Sequence, residues 1–114
     1  MQVLTSHIIP AESKATAALV KKQVMLADNT ALLILFGSRA RGDASVDSDW
    51  DFLILTQHTD TDRLADELRK IIFREVELKY EVAVSLIVKN KTVWENDYAV
   101  TNIYESITEE GVVL

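Results

Sequence analysis

The segment from Gly37 to Asp51 contains the residue types and spacings that could perform chemistry. Asp49 and Asp51 are two positions apart, and on an extended chain such side chains project from the same face, with Cα atoms about 6.5–7 Å apart. Two carboxylates at this separation can share divalent cations, and Mg²⁺ favours carboxylates combined with substrate phosphates. Asp51 lies between Trp50 and Phe52, where an unpaired carboxylate costs free energy unless a cation compensates it. The pattern therefore predicts a divalent metal site at Asp49 and Asp51.

A small polar turn upstream of this pair offers groups that suit a phosphate. Backbone N–H groups at Gly37 and the hydroxyl of Ser38 could cradle a phosphate at the end of the preceding strand. Arg39 and Arg41 follow, and the planar guanidinium matches a phosphate. As isolated residues the two arginines are better explained as surface charges, whereas beside the Gly-Ser turn and the carboxylate pair a phosphate or partner contact explains them equally well. Ser48, beside the carboxylate pair, completes the predicted nucleotide-binding set.

The same segment has features of three other structures. The glycine spacing matches a P-loop, but Asp43 stands where the lysine is required. A calcium loop beginning at Asp47 would have Phe52 at the obligatory glycine and His58 at the bidentate glutamate, so it is excluded. A solvated turn remains open, since Asp and Ser favour turns. The Gly-Ser turn upstream favours the metal site.

Gly-Ser-x-Ala-Arg-Gly followed by Ser-Asp-x-Asp resembles the signature of the polymerase-β-like nucleotidyltransferase superfamily, and its fuller form resembles the minimal nucleotidyltransferase (MNT) branch. The specific part covers residues 31–55. The resemblance implies transfer of a nucleoside monophosphate, with ATP as the expected donor, to an acceptor hydroxyl. It also implies two Mg²⁺ ions on Asp49 and Asp51, and contacts from Gly37 and Ser38 to the triphosphate.

The sequence departs from the family where a third carboxylate is expected on a later strand. Residues 81–88 are rich in β-branched residues and predict that strand. Its only carboxylate is Glu81, and Ala83, one same-face step further on, stands where the family places an Asp. Either Glu81 is a surrogate catalytic carboxylate, or the chain is a catalytically weak nucleotide-binding, antitoxin-like subunit that acts by association. An unrelated small α/β scaffold is disfavoured because both motifs are present.

The elements that must position these residues follow from apolar periodicity. Helices are predicted over residues 11–28, from a cap within 59–62 to about Lys79, and over 98–109, with one or two helical turns over 91–97. Strands are predicted over 31–36, 50–56 and 81–88, with a short edge strand at Val112-Val113-Leu114. A polar turn is predicted over 37–47, with room for a short helical start after Ser38. This order predicts an α/β (α+β) fold, a small mixed β-sheet of three to four strands with helices packed on it.

Length and composition limit the possible functions. A chain of 114 residues predicts a single domain over residues 1–114. The absence of cysteine excludes disulfides and Cys-zinc sites. A net charge of −6 argues against duplex nucleic acid as a partner, because phosphate neutralisation needs clustered Lys and Arg. It does not argue against a nucleotide whose charge is carried by metal ions.

Location and partners are predicted from what the sequence lacks. No stretch resembles a secretion signal or reaches membrane-spanning length, so a cytoplasmic location is expected. Some relatives implied by the resemblance carry an additional module that holds the acceptor, and from 114 residues we expect no such module here. The acceptor must then be presented by a partner or by a second copy of the chain. The resemblance permits a HEPN-type helical-bundle partner, as in toxin–antitoxin pairs.

Overall fold

The sheet has four strands, in the spatial order β3-β2-β1-β4. A computed structural model describes the backbone of residues 11–114 and the side chains from Lys14 onward. The strands are β1 (Leu32–Phe36), β2 (Trp50–Thr56), β3 (Val84–Asn90) and β4 (Val112–Val113). The helices are α1 (Ala11–Ala27), α2 (Ser38–Arg41), α3 (Thr61–Ile72), α4 (Leu78–Tyr80), α5 (Lys91–Asp97) and α6 (Asn102–Glu110). The prediction about a secretion signal concerns mainly residues outside this part of the chain.

The pairing confirms the predicted mixed sheet. β1 runs antiparallel to β2 and to β4, whereas β2 and β3 are parallel. Parallel neighbours need a crossover connection, which the helical run from α3 to α4 supplies. The remaining link between β1 and β2 includes the polar turn and α2. Because β1 and β2 are antiparallel neighbours, both ends of that link lie at the same end of the sheet.

The centre of β1 shows why its sequence is continuously apolar. Leu33, Ile34 and Leu35 are at most 1% exposed. Because successive side chains in a strand point to opposite faces, burial of all three means that both faces are covered. Leu33 and Leu35 pack in the cluster with residues of α1 and α3. Ile34 packs on the second face, with Trp94 of α5 and Ile107 of α6.

The predicted start of the third strand at residue 81 is wrong. Helix α3 continues through a π-helical segment, Phe73–Glu77, into α4, and Val76 of that segment is fully buried. Glu81 then ends the helical run in a left-handed conformation, with φ 53° and ψ 46°. That conformation favours Gly or Asn, so a Glu there gives no local signal of a helix end. Glu81 is exposed, and β3 begins only at Val84.

The last helix also begins later than residue 98. Thr101 caps α6, its side chain accepting a hydrogen bond from the backbone N–H of Tyr104. A capping Thr satisfies one of the free N–H groups at a helix start, which fixes the boundary there. Val100 therefore lies outside the helix and is 95% exposed instead of joining its apolar face. Within residues 11–114, no helix combines the length and apolar character needed to cross a membrane.

Candidate active site

Asp51 is the second residue of β2 and lies at the end of the sheet where β1 finishes, opposite Phe36. In the strand register it pairs with Phe36 of β1 and with Ser85 of β3. Strand alternation places it on the same face as Leu53, which belongs to the cluster that packs against α5 and α6. The side chain is half-buried. The strand ladder therefore fixes where this carboxylate stands.

Gly37 brings the polar turn against this carboxylate. Its backbone has φ 74° and ψ −161°, a conformation essentially reserved for glycine. A Cβ atom at this position would lie 2.5 Å from Oδ2 of Asp51. The absence of a side chain therefore lets the turn approach the carboxylate. The two halves of the motif predicted from sequence meet at this contact.

The turn continues into the short helix α2, as the sequence predicted. The backbone N–H groups of Ala40 and Arg41 both donate to the carbonyl of Gly37, each at 3.1 Å. The carbonyl of Ser38 accepts from Gly42 at 3.0 Å and from Asp43 at 3.2 Å. Ser38 is thus the first helical residue, adjacent to the glycine that contacts Asp51.

Asp49 precedes β2 by one residue and is exposed. Burial raises the pKa of Asp51, the negative charges of Asp49 and Glu110 raise it further, and the positive charge of Arg41 opposes them. A bound divalent cation would offset this accumulated negative charge. Two carboxylates are also the oxygen donors that Mg²⁺ prefers. The donor set therefore fits the metal that the sequence predicted.

A third carboxylate does not join this pair through the strand ladder. In the described part of the chain, no three His, Cys, Asp or Glu side chains are grouped so that they could hold a metal ion. The strand position beside Asp51 is Ser85, and Ala83, whose carbonyl accepts from the N–H of Trp50 at 2.9 Å, lies just before β3. Because Glu81 lies in the turn before the strand, the same-face step assumed from sequence does not exist.

Sequence reasoning missed Glu110, the last residue of α6. Its carboxylate accepts a hydrogen bond of 2.9 Å from Nη1 of Arg41, while Nε of Arg41 donates to Asp43 at 3.1 Å. Gly111 then allows the chain to pass close to Ile34, because a Cβ there would lie 2.8 Å from that side chain. No local pattern could have shown this contact, since 69 positions separate Arg41 from Glu110.

Arg39 and Ser48 are engaged within the loop that leads to Asp49. Nη2 of Arg39 donates to the carbonyls of Ser48 at 3.0 Å and Val46 at 3.4 Å, and its Cζ lies 4.5 Å from the ring centroid of Trp50. The hydroxyl of Ser48 accepts from the backbone N–H of Ser45 at 2.9 Å. Both of these predicted nucleotide-binding residues therefore shape the loop.

A cavity of about 510 Å³ lies at the opposite end of β2, beside Asp28 and His58. Burial alone would raise the pKa of Asp28, but hydrogen bonds from Thr56 and Thr30 outweigh it and lower that pKa. The hydroxyls of Thr56 and Thr30 donate to the Asp28 carboxylate at 2.6 and 2.7 Å. Because this carboxylate is satisfied internally, the cavity gives a weaker indication of chemistry than the Asp51 region.

A glycine turn placed against an Asp-x-Asp pair, on a small mixed sheet, is the arrangement of a nucleotidyltransferase. Residues 19–114 match the family described as "Nucleotidyltransferase domain", and the chain belongs to that family. This membership confirms the resemblance drawn from residues 31–55 and classifies the chain as an enzyme of nucleotidyl transfer.

Two relatives from Methanocaldococcus jannaschii are similar to this chain. One, named "Putative protein adenylyltransferase MJ0141", is 41% identical over 69 residues, which are 60% of this chain and 69% of the relative. The other, named "Putative protein adenylyltransferase MJ0604", is 37% identical over 82 residues, which are 72% of this chain and 75% of the relative.

Proposed function

We propose that this chain is a Mg²⁺-dependent nucleotidyltransferase that transfers AMP from ATP to a hydroxyl group on a protein. Family membership supports nucleotidyl transfer, and the names of the two relatives support ATP and a protein acceptor. The observation that carries the proposal is the contact between Gly37 and the Asp51 carboxylate. The backbone of the Gly-Ser turn, which we expect to bind the triphosphate, thereby lies against one of the two carboxylates that we expect to bind the metal ion.

In this proposal Asp49 and Asp51 hold Mg²⁺. When bound there, Mg²⁺ supplies charge neutralisation at the triphosphate and lowers the pKa of the acceptor hydroxyl. The backbone of Gly37 and the hydroxyl of Ser38 orient the triphosphate tail. The acceptor oxygen forms a bond to the α-phosphorus, the bond between the α- and β-phosphates breaks, the hydroxyl proton is released, and pyrophosphate leaves.

Arg41 is the arginine whose geometry best suits the triphosphate. Its Nε and Nη1 donors are held by Asp43 and Glu110, which fixes the plane of the guanidinium. Among the described residues Nη2 has no hydrogen-bonding partner, so its two N–H groups remain available to a phosphate. A guanidinium fixed in advance loses less conformational entropy on binding than a free one.

A second candidate function is supported by the lack of a three-carboxylate group among the described residues. In this alternative the chain binds nucleotide with little turnover and acts by association, as an antitoxin-like subunit of a HEPN-type partner. Both candidates place the chain in the cytoplasm. In both, a partner or a second copy of the chain completes the assembly. They differ in whether the bound nucleotide is consumed.

Parallel incubations with ATP labelled on the α- or the γ-phosphate, with Mg²⁺ and a lysate of the source cell, test the proposal. Transfer of AMP predicts a labelled protein with the α-label only. Asp51→Asn should abolish labelling, and Asp62→Asn, which removes an exposed carboxylate on α3, is the matched control. Labelling by γ-labelled ATP, or unchanged labelling by Asp51→Asn, would contradict the proposal.

Adding a third carboxylate on or just before β3 distinguishes the two candidate functions. If turnover is limited by its absence, Ala83→Asp or Ser85→Asp should create or raise labelling, since both positions are exposed beside the Asp49–Asp51 pair. Glu81→Gln tests the surrogate role proposed from sequence: a strong loss of transfer with unchanged nucleotide affinity would support that role. If the parent chain and both Asp variants bind nucleotide but label no protein, the second candidate, a binding subunit with little turnover, is supported.

A further inference from the structure

Asp49 lies at a position that the strand ladder does not hold. The first residue of β2 is Trp50, so the two residues that flank Asp49 are Ser48 in the loop and Trp50 in the strand. Trp50 is 3% exposed, and its backbone N–H donates to Ala83 at 2.9 Å. The strand side of Asp49 is therefore fixed by the sheet. On the loop side, the hydrogen bonds between Ser48 and Ser45 lie within the loop itself, so a restraint that joins the loop to the sheet is still needed.

Arg39 provides that restraint by contacting both neighbours of Asp49. Its Nη2 donates to the carbonyl of Ser48 at 3.0 Å, and its guanidinium carbon lies 4.5 Å from the ring centroid of Trp50. The same Nη2 reaches Val46 at 3.4 Å, which ties in the preceding turn of the loop. One planar side chain thus joins the loop to the buried start of β2.

The surroundings of Arg39 argue against a direct phosphate contact. One face of the guanidinium is against the indole of Trp50, Nη2 is bonded to two carbonyls, and Nε is buried with no partner among the described residues. Arg39 therefore acts on the candidate site through the loop and the indole that it contacts.

We infer that Arg39 is a positioning residue, which joins the backbone carbonyl of Ser48 to the indole of Trp50 across Asp49, so that this carboxylate stays beside Asp51 and ready for the metal ion. This inference rests on the proposed function only in treating Asp49 as a metal ligand. Without the clamp, Asp49 would have to be ordered when the metal binds, and metal affinity would fall. Partners that orient metal ligands typically change metal affinity by about 10–100-fold.

Two substitutions separate positioning from phosphate binding. Arg39→Met removes the charge and the hydrogen bonds, whereas Arg39→Lys keeps the charge but loses the planar group that stacks and reaches the carbonyls. Arg69→Met is the matched control, because it removes an exposed guanidinium on α3 that pairs with Asp66 at 3.8 Å. Thermal melts show whether each variant is folded before the measurements are compared.

The first measurement is calorimetric binding of a non-hydrolysable ATP analogue at increasing free Mn²⁺. Positioning predicts that both Arg39 variants raise the Mn²⁺ midpoint by about 10-fold or more, while analogue affinity at saturating Mn²⁺ stays as in the parent. Arg69→Met should leave both unchanged. Loss of analogue affinity at saturating Mn²⁺ in Arg39→Met, retained in Arg39→Lys, would instead indicate a phosphate contact and overturn the inference.

The second measurement, amide hydrogen exchange over residues 46–50, needs no ligand. Both Arg39 variants should exchange faster there, with the amides of β1 unchanged. Unchanged exchange in a folded Arg39→Met variant would overturn the inference. If the parent chain shows no metal-dependent binding of the analogue, the proposed function fails, and the exchange data alone then decide the role of Arg39.

Discussion

Replacing Gly37 by Ala tests the contact on which the candidate site depends. The backbone at φ 74° and ψ −161° is unfavourable for Ala, which costs about 1–3 kcal/mol. The added Cβ would lie 2.5 Å from Oδ2 of Asp51, so the carboxylate must move. Forcing an additional carbon into a packed position costs about 1–3 kcal/mol. The sum is a loss of about 2–6 kcal/mol in the free energy of unfolding.

A double-mutant cycle separates these two contributions. In an Asp51→Ala background the clashing oxygen is absent, and the nearest atom of residue 51 is its Cβ at 3.5 Å, an ordinary contact. Gly37→Ala should then cost only the backbone contribution, about 1–3 kcal/mol. The coupling between the two substitutions should be about 1–3 kcal/mol, within the range measured for residues in contact.

Urea unfolding of the four proteins at one pH, without divalent metal, measures the cycle. Binding of Mg-ATP to the single Gly37→Ala variant is measured in parallel and should be lost, because the displaced Asp51 can no longer pair with Asp49. An equal cost of Gly37→Ala in both backgrounds would show that the turn does not press on Asp51. The geometric argument for the site would then be refuted.

Three further predictions concern charge and binding at the same site. The pKa of Asp51 in the folded protein is raised above its ordinary value of 3.8, so the protonated side chain stabilises the fold relative to the charged one. This stabilisation is present below pH 3.8 and is lost as pH rises through the pKa of the folded state. Thermal melts without metal should therefore show Asp51→Asn more stable than the parent at pH 7, with the difference shrinking toward pH 4. Ser38→Ala should weaken the binding of ATP and of GTP by a similar free energy, about 1–3 kcal/mol, as measured by calorimetry. A loss for only one of the two nucleotides would contradict the contact between Ser38 and the triphosphate. Glu110→Ala should weaken Mg-ATP binding because Arg41 loses its 2.9 Å partner, and an unchanged affinity would show that this partner does not orient Arg41.

The parts of the site that sequence predicted are those fixed by local geometry. Asp51 follows from the strand period of two, and the polar turn with a short helix after Ser38 follows from its residue types. The mixed sheet follows from the order of helices and strands. These features need only short-range regularities, which a single sequence contains. They also include both halves of the motif that identifies the family.

The features that sequence could not predict depend on contacts between distant residues or on rare conformations. Glu110 reaches Arg41 from the far end of the chain. Residues 81–88 contain many β-branched residues and predict Glu81 on the third strand, yet Glu81 adopts the left-handed conformation that ends the helical run, and the strand begins only at Val84. The stacking of Arg39 on Trp50 requires knowing how the loop folds back.

Glu110 illustrates how the two arginines can have different tasks. Its charge raises the pKa of Asp51, which means that the ionised form of Asp51 is destabilised when no metal ion is bound. The same carboxylate, together with Asp43, holds Arg41, and a free guanidinium would be attracted to Asp51 as a competitor of the metal ion. We therefore expect Glu110 to keep the metal-free site negatively charged and Arg41 available to the triphosphate. In Glu110→Gln we expect a lower Mg²⁺ affinity together with a lower pKa of Asp51, which carboxyl NMR titration measures. That combination would distinguish this role from a purely structural ion pair.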